Sequence, residues 1–336
     1  MRLIKTLWRI SLLITLLSVA WLIYFANLSV HSNPSEGTFD VVAGSRFRSV
    51  SQQLLKQGVI KDPYSFELMA RLLGRASDVK AGIYVRDPKI THLELLDQLT
   101  AGISNQSSMT FIEGWTFAEM RTALNANSAI KHMTMGETDE QILLAIGAEE
   151  KHPEGLFFPD TYFFTPGTSD RDILKRAYQT MQYKLDSAWK TRAQGLPYDT
   201  PYKALIMASI VEKETGRSFE RKKIAGVFVN RMNIGMRLQT DPTVIYGKGD
   251  QFDGNLRKND LLLDTPYNTY TRSGLPPTPI AMPGLASIDA AMHPDKTNAL
   301  YFVGKGDGTH TFSASLQEHN NAVIKYQLGG KHGIGR

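Results

Sequence analysis

The sequence predicts an α+β protein: an N-terminal transmembrane helix, a small α/β unit, then a larger mixed α+β domain with a candidate catalytic Glu on a helix. Three observations predict this. Residues 10–28 form an apolar run without a charge. Residues 38–100 alternate short strand-like runs with helical periodicity. Beyond residue 108, long helical patterns are followed by two strand patterns around the Gly-rich turn 304–308.

The N-terminus orients the chain. Arg2, Lys5 and Arg9 precede the run 10–28, whose polar members are Ser11, Thr15, Ser18 and Asn27. About 20 such residues cross a bilayer core of about 30 Å. No Lys or Arg follows until Arg46, so residues 1–9 are expected in the cytoplasm and the remainder outside. A cleaved signal peptide is the alternative, although the run is long for one and no clean A-x-A site follows. Residues 29–37 are polar and turn-rich and read as a linker.

Residues 38–108 form the small unit. Strands are expected at 39–42 and 82–85, and helices at 49–57, 63–73 and 92–99, with Leu54, Leu55, Phe66, Met69, Leu72 and Leu73 on apolar faces. This is the pattern of a LysM-like glycan-binding unit, and a small α/β spacer fits it too. Residues 101–108 read as a polar hinge.

The larger domain spans 109–330. Ile173, Ala177, Met181, Leu185 and Ala188 recur at helical spacing across 169–193, with Ser169 as N-cap and Gly195 beyond the end. The preceding aromatic stretch, 154–162, reads as core strand. Helices are also expected at 219–233, 287–292 and 317–328, and paired strands at 300–303 and 310–312.

Helix 202–215 carries the chemistry. Thr200 caps it, Pro201 opens it and Gly216 stops it. It holds Glu212 and Glu214. At 3.6 residues per turn, Glu214 stacks on Met207, Ile210 and Val211, whereas Glu212 falls nearer Leu205 and Ser209. The wheel therefore turns Glu214 inward and Glu212 mostly outward. A carboxyl on a buried face keeps its proton, as a general acid must. An ion pair with Arg217 at the helix end is the alternative, and the wheel alone does not decide.

Irregular segments at 237–247, 266–270 and 274–277 follow, and loops of that length are usually functional. Their Asn, Gln and Tyr side chains suit sugar hydroxyls. Asp241 and Pro242 read as a helix cap and start.

Composition narrows the alternatives. The chain has 336 residues, 42% of them hydrophobic, enough for two cores. Its net charge of +5 fits an anionic polymer or membrane surface and is too small to argue for nucleic acid. Without Cys there is no disulfide, thiolate metal site or Cys nucleophile. The eight His residues show no H-x-x-x-H or H-E-x-x-H pattern, so no metal or other cofactor is expected. Ser209 and Lys213 share a helix face, but Ser209 falls on the polar side, a poor place for a nucleophile.

Several segments resemble the YceG-like family, the endolytic murein transglycosylases. They are 208–215 (ASIVEKET), 228–231 (FVNR), 235–247 (GMRLQTDPTVIYG), 267–270 (YNTY), 274–277 (GLPP) and 300–303 (LYFV). The resemblance implies cleavage of the MurNAc–GlcNAc bond within nascent peptidoglycan glycan strands, leaving 1,6-anhydro-MurNAc ends and limiting strand elongation. Its catalytic Glu is the one followed by Thr, here Glu214. It further implies substrate contacts from Gln239, Thr240, Asp241, Tyr246, Asn268 and Tyr270. Tyr267-Asn268 is similar to the Ala-Tyr-Asn motif of lytic transglycosylases, with Pro266 where Ala is usual. The catalytic domain would lie in the periplasm, held at the inner membrane by one N-terminal helix, with penicillin-binding synthases as partners. Two alternatives stand beside this: a lysozyme-type hydrolase, which needs Asp241 or Glu212 opposite Glu214 at about 5–9 Å, and a non-catalytic glycan-binding scaffold.

Overall fold

The computed structural model describes residues 2–30, 38–85, 89–102, 107–164 and 166–329. The chain forms two compact units, Met1–Ser107 with Phe163–Pro166, and Ser108–Tyr162 with Gly167–Arg336.

The first unit runs α1 (Arg2–Ala26), β1 (Thr38–Val41), α2 (Phe47–Lys56), α3 (Pro63–Leu72), β2 (Gly82–Val85) and α4 (His92–Ala101). β1 and β2 pair antiparallel, Thr38 opposite Val85 and Val41 opposite Gly82. Asp62 caps α3 by accepting from the amides of Tyr64 and Ser65, with Pro63 in the first turn. Thr91 and Glu94 close a capping box on α4. Leu54, Phe66, Met69, Tyr84, Leu95, Leu96 and Leu99 fill the core. Leu55, Leu72 and Leu73, expected on apolar faces, are instead exposed, because each lies on the outer side of its helix.

The end of α1 belongs to this core. Phe25 stacks on His92 at 4.2 Å, and His92 Nδ1 lies 2.8 Å from the Leu28 carbonyl. Among the described residues no helix is long and apolar enough to cross a membrane. The expected linker lies outside the described residues from position 31 to 37, and so do positions 103–106 of the expected hinge.

The second unit contains β3 (Ser107–Thr110) from Ser108 on, α5 (Phe117–Ala126), α6 (Asp139–Ile146), β4 (Thr161–Phe164) as far as Tyr162, α7 (Asp170–Lys190) and α8 (Pro201–Glu214). A 3-10 turn, Ser218–Glu220, leads into α9 (Arg221–Asn233), then α10 (Asp241–Lys248), α11 (Lys258–Leu262) and α12 (Leu285–Met292). The chain closes with β5 (Tyr301–Gly304), β6 (His310–Ser313) and α13 (Leu316–Tyr326). β5 and β6 pair antiparallel, with Tyr301 opposite Ser313 and Gly304 opposite His310.

Helix α8 is the axis of this unit and packs against α7, α9, α10 and α12. Every residue from Ala204 to Val211 is buried. Ser209 is therefore not on a polar side. Its Oγ donates to the Ile206 carbonyl (2.7 Å) and accepts from the Ile280 amide (3.0 Å), which occupies it structurally. α7 is capped by Ser169 and buries Ile173, Ala177, Met181 and Leu185, but it ends at Thr191, short of Gly195. The aromatic stretch at 154–159 is buried yet irregular, and strand begins only at Thr161. Gly155 is the cause. Its φ of +77° breaks an extended run, and a Cβ there would stand 2.4 Å from Pro279 Cβ.

Candidate active site

Glu214 ends α8, whose first turn is set by the Thr200 cap and Pro201. Its neighbour Thr215 is extended, so the helix stops with the Glu214 carboxyl at the floor of a cleft of about 500 Å³. Gln239, Thr240 and Asp241 form one wall, with Tyr270 beside them, while Arg231, the β5–β6 hairpin and α13 form the other.

Thr240 Oγ donates to Glu214 Oε1. Backbone geometry fixes that hydroxyl. Gln239 is the one described non-glycine residue in the left-handed region, at φ +48°. Its amide bonds the Thr269 carbonyl at 3.2 Å, and the Thr240 amide bonds Thr269 Oγ at 3.1 Å. Thr243 Oγ then donates to the Thr240 carbonyl at 2.8 Å. Such strain persists only where several contacts hold it, and here they hold the carboxyl's partner in place.

Opposite, buried Arg231 donates from Nε to the Leu300 carbonyl and from Nη1 to the Leu238 carbonyl, both at 2.6 Å. Its guanidinium lies 5.3 Å from the Tyr301 ring, which stacks on His319 at 5.1 Å. Tyr270 donates to Asp241 Oδ1 at 2.5 Å.

Burial raises the Glu214 pKa above the usual carboxylate value, and Asp241 adds to the rise. The Thr240 hydrogen bond, the protonated form of His310 and the Arg231 charge pull the other way, and the net direction is up. Arg217 is not its partner, since that guanidinium donates to the Asp307 carbonyl at 2.9 Å.

Of the expected binding residues, Gln239, Thr240, Asp241 and Tyr270 line this cleft with Glu214. Asp241 is the first residue of α10 and not its cap, a place Thr240 takes. Asn268 and Tyr246 correct the expectation. Asn268 is buried, and its amide donates to the carbonyls of Asp260, Leu261 and Leu263, so it shapes a loop. Tyr246 donates to Glu154 Oε2 at 3.1 Å and lines a second cleft of about 720 Å³ with Tyr267, Phe252 and Lys213. In that cleft burial pushes Glu154 up to about 7.

Glu212 is a further correction. It is buried, accepting from Arg221 Nη2 (3.3 Å) and the Gly284 amide (2.9 Å). The wheel turns Glu212 outward, whereas its side chain is 6% exposed and is taken up by Arg221 and the Gly284 amide. Arg231, Tyr301, His310 and His319 join the cleft from α9, the hairpin and α13, elements that the sequence pattern around α8 does not bring together.

A family model described as the YceG-like family matches residues 39–325. The chain is 35% identical over 306 residues to the endolytic murein transglycosylase of Bacillus subtilis, covering 85% of this chain and 84% of that one. It is 25% identical over 328 residues to the endolytic murein transglycosylase of Streptococcus pneumoniae, covering 88% of this chain and 59% of the longer relative. A crystal structure of a YceG-like protein from Listeria monocytogenes superposes with a TM-score of 0.54 at 29% identity, covering 86% of this chain and 99% of that one. The chain belongs to the YceG-like family.

Proposed function

We propose that the chain is an endolytic peptidoglycan lytic transglycosylase, a carbon–oxygen lyase, with Glu214 as its acid and base. The observation that carries this is the Glu214 carboxyl at the floor of an open cleft, held by a neutral hydroxyl donor and bonded to no cation among the described residues. Its raised pKa keeps the proton that the glycosidic oxygen must receive. The names of the Bacillus and Streptococcus relatives support the same reaction.

Glu214 protonates the leaving oxygen of the MurNAc–GlcNAc bond. The substrate's acetamido group steadies the oxocarbenium-like centre. The C6 hydroxyl closes on C1, its proton returns to the Glu214 carboxylate, and a 1,6-anhydro end is left. Gln239, Asp241 and Tyr270 stand where they would position the sugar. Glu212 is committed to Arg221 and takes no part.

Residues 10–28 serve, in this reading, as a single-pass inner-membrane anchor, and residues 38–108 as a LysM-like glycan-binding unit, with synthases of the penicillin-binding class as partners. The uncharged run and the basic residues before it support the anchor.

Digestion of uncrosslinked glycan strands tests the chemistry. Mass spectrometry of the products should show anhydro ends. Reducing ends alone would instead make the enzyme a lysozyme-type hydrolase, with Asp241 the acid to suspect.

A further inference from the structure

Beside Glu214 sits a second group built for proton transfer, His310. It opens β6 and lines the same cleft as Glu214. One carboxylate holds it twice: the His310 amide donates to Glu220 Oε1 at 2.9 Å, and Nδ1 lies 2.8 Å from Glu220 Oε2. Glu220 is buried at 6% exposure in the 3-10 turn between α8 and α9, and no Lys or Arg pairs with it among the described residues. Phe302 meets the imidazole edge-on at 5.4 Å, and Phe312 packs at 6.4 Å.

These contacts settle the tautomer. An ionised carboxylate only accepts, so Nδ1 carries the proton and the neutral ring's lone pair is on Nε2. The ring's hydrogen bond among the described residues is made by Nδ1, which leaves Nε2 on a ring that lines the cleft. A carboxylate–imidazole pair with one nitrogen oriented and the other free is the arrangement of a general base. The titratable groups sharing the cleft are Glu214 from α8, Arg231 from α9, Asp241 from α10, Tyr270, Tyr301 from β5 and His319 from α13.

The reaction has a use for such a base. Glu214 begins the cycle protonated and gives its proton to the leaving oxygen. At that moment the C6 hydroxyl must lose a proton as its oxygen attacks C1.

We propose that His310 is a second catalytic residue, whose Nε2 takes the C6 hydroxyl proton and passes it to the Glu214 carboxylate, and that Glu220 is its positioning residue. The balance closes within the site. The glycosidic C1–O bond breaks with the Glu214 proton going to the leaving oxygen. The C6 O–H bond breaks with its proton going to Nε2, and the O6–C1 bond forms. Transfer from Nε2 to Glu214 restores both groups. This rests on the transglycosylase reading above and refines how Glu214 recovers its proton.

The test uses the full chain on uncrosslinked glycan strands. His310→Gln keeps a side-chain N–H for Glu220 but has no basic nitrogen. It should lower kcat about 10²-fold or more with KM and melting temperature near wild type. His310→Ala should regain part of its kcat when free imidazole is added, whereas Glu214→Gln should not. Glu220→Gln should lower kcat roughly 10-fold, reflecting its orienting role. The acid limb of the wild-type pH profile should be absent from that of His310→Gln. Wild-type kcat and an unchanged acid limb in His310→Gln would overturn the proposal, as would a loss in His310→Ala that imidazole leaves untouched. A wild-type enzyme that releases no anhydro ends would instead overturn the transglycosylase reading itself.

Discussion

Glu212 and Glu214 lie two residues apart on the last turn of α8, and their surroundings could hardly differ more. Glu212 meets a guanidinium, an amide and, through Arg221 Nε, the hydroxyl of Ser287 at 3.0 Å. A second carboxyl, that of Glu113, lies against the same turn, where a Cβ on Gly284 would stand 1.8 Å from its Oε1. Glu214 meets one threonine hydroxyl and an open cleft. A carboxylate with a buried cation is a tie between elements, and one given only a neutral donor keeps its proton. Chemistry on this helix is assigned by the partners that α9, α10 and the 284 turn bring, more than by the residue type.

Substituting each carboxylate in turn should split activity from stability. Glu214→Gln should lower the rate of anhydro-end release roughly 10³-fold, read by quantitative mass spectrometry. Its effect on stability has the opposite sign. A raised folded pKa means that stability present at low pH is lost as pH rises through that pKa. Glutamine suffers no such loss. Glu214→Gln should therefore melt higher than wild type at neutral pH, with the gap closing toward acid. Equal melting temperatures at every pH would contradict the buried, protonated state. Glu212→Ala should do the reverse, costing about 3–5 kcal/mol in denaturant unfolding because Arg221 is left buried without its partner. Molecules that remain folded should still cleave. If Glu212→Ala unfolds no more easily yet loses activity, the division between tie and acid collapses.

Glu154 sharpens the comparison from a distance. It too is buried without a cation, receiving the Phe117 amide at 3.0 Å and the Tyr246 hydroxyl. Burial raises it from 4.5 to about 7. A gap of about 2.5 units, at about 1.4 kcal/mol each, makes the protein roughly 3 kcal/mol less stable as pH rises from below 4.5 to above 7. Glu154→Gln should flatten that slope in urea titrations at pH 5 and pH 8. An unchanged slope would show that some other group carries it.

Much of this arrangement could be read from periodicity and punctuation. Ser169 marks the start of α7, and the Gly-rich turn at 304–308 joins two strands that pair as their spacing suggests. Helices α5 and α6 carry capping boxes at Thr116–Glu119 and Thr138–Gln141, and both are legible in the sequence as a Thr followed three residues later by Glu or Gln. The burial of Glu212 and Ser209 could not be read, because a helical wheel presumes an exposed face and α8 is buried on every side from Ala204 to Val211. Nor could the fate of Asn268. Its amide suits a sugar and suits three backbone carbonyls equally well, and only the folded loop decides. His310 and His319 reach the cleft from about a hundred residues downstream of Glu214, a distance over which local pattern is silent.

The smallest expected effect lies at Thr240, the hydroxyl that stands to Glu214 as Arg221 stands to Glu212. Thr240→Val keeps the shape and removes the donor. One neutral hydrogen bond is worth about 1 kcal/mol, so the loss of stability should be of that order. The informative reading is the pH profile. The Thr240 hydrogen bond favours the charged carboxylate, so without it the Glu214 pKa moves further up. Because Glu214 acts in its protonated form, the alkaline limb of kcat/KM should shift to higher pH. Maximal activity should fall modestly, since the resting carboxylate loses a partner it needs once its proton has left. An alkaline limb that stays in place would mean that burial alone tunes the acid. A limb moving to lower pH would mean that another charged group, such as Arg231 of the cleft wall, takes over the bared oxygen, and Glu214 would then resemble Glu212.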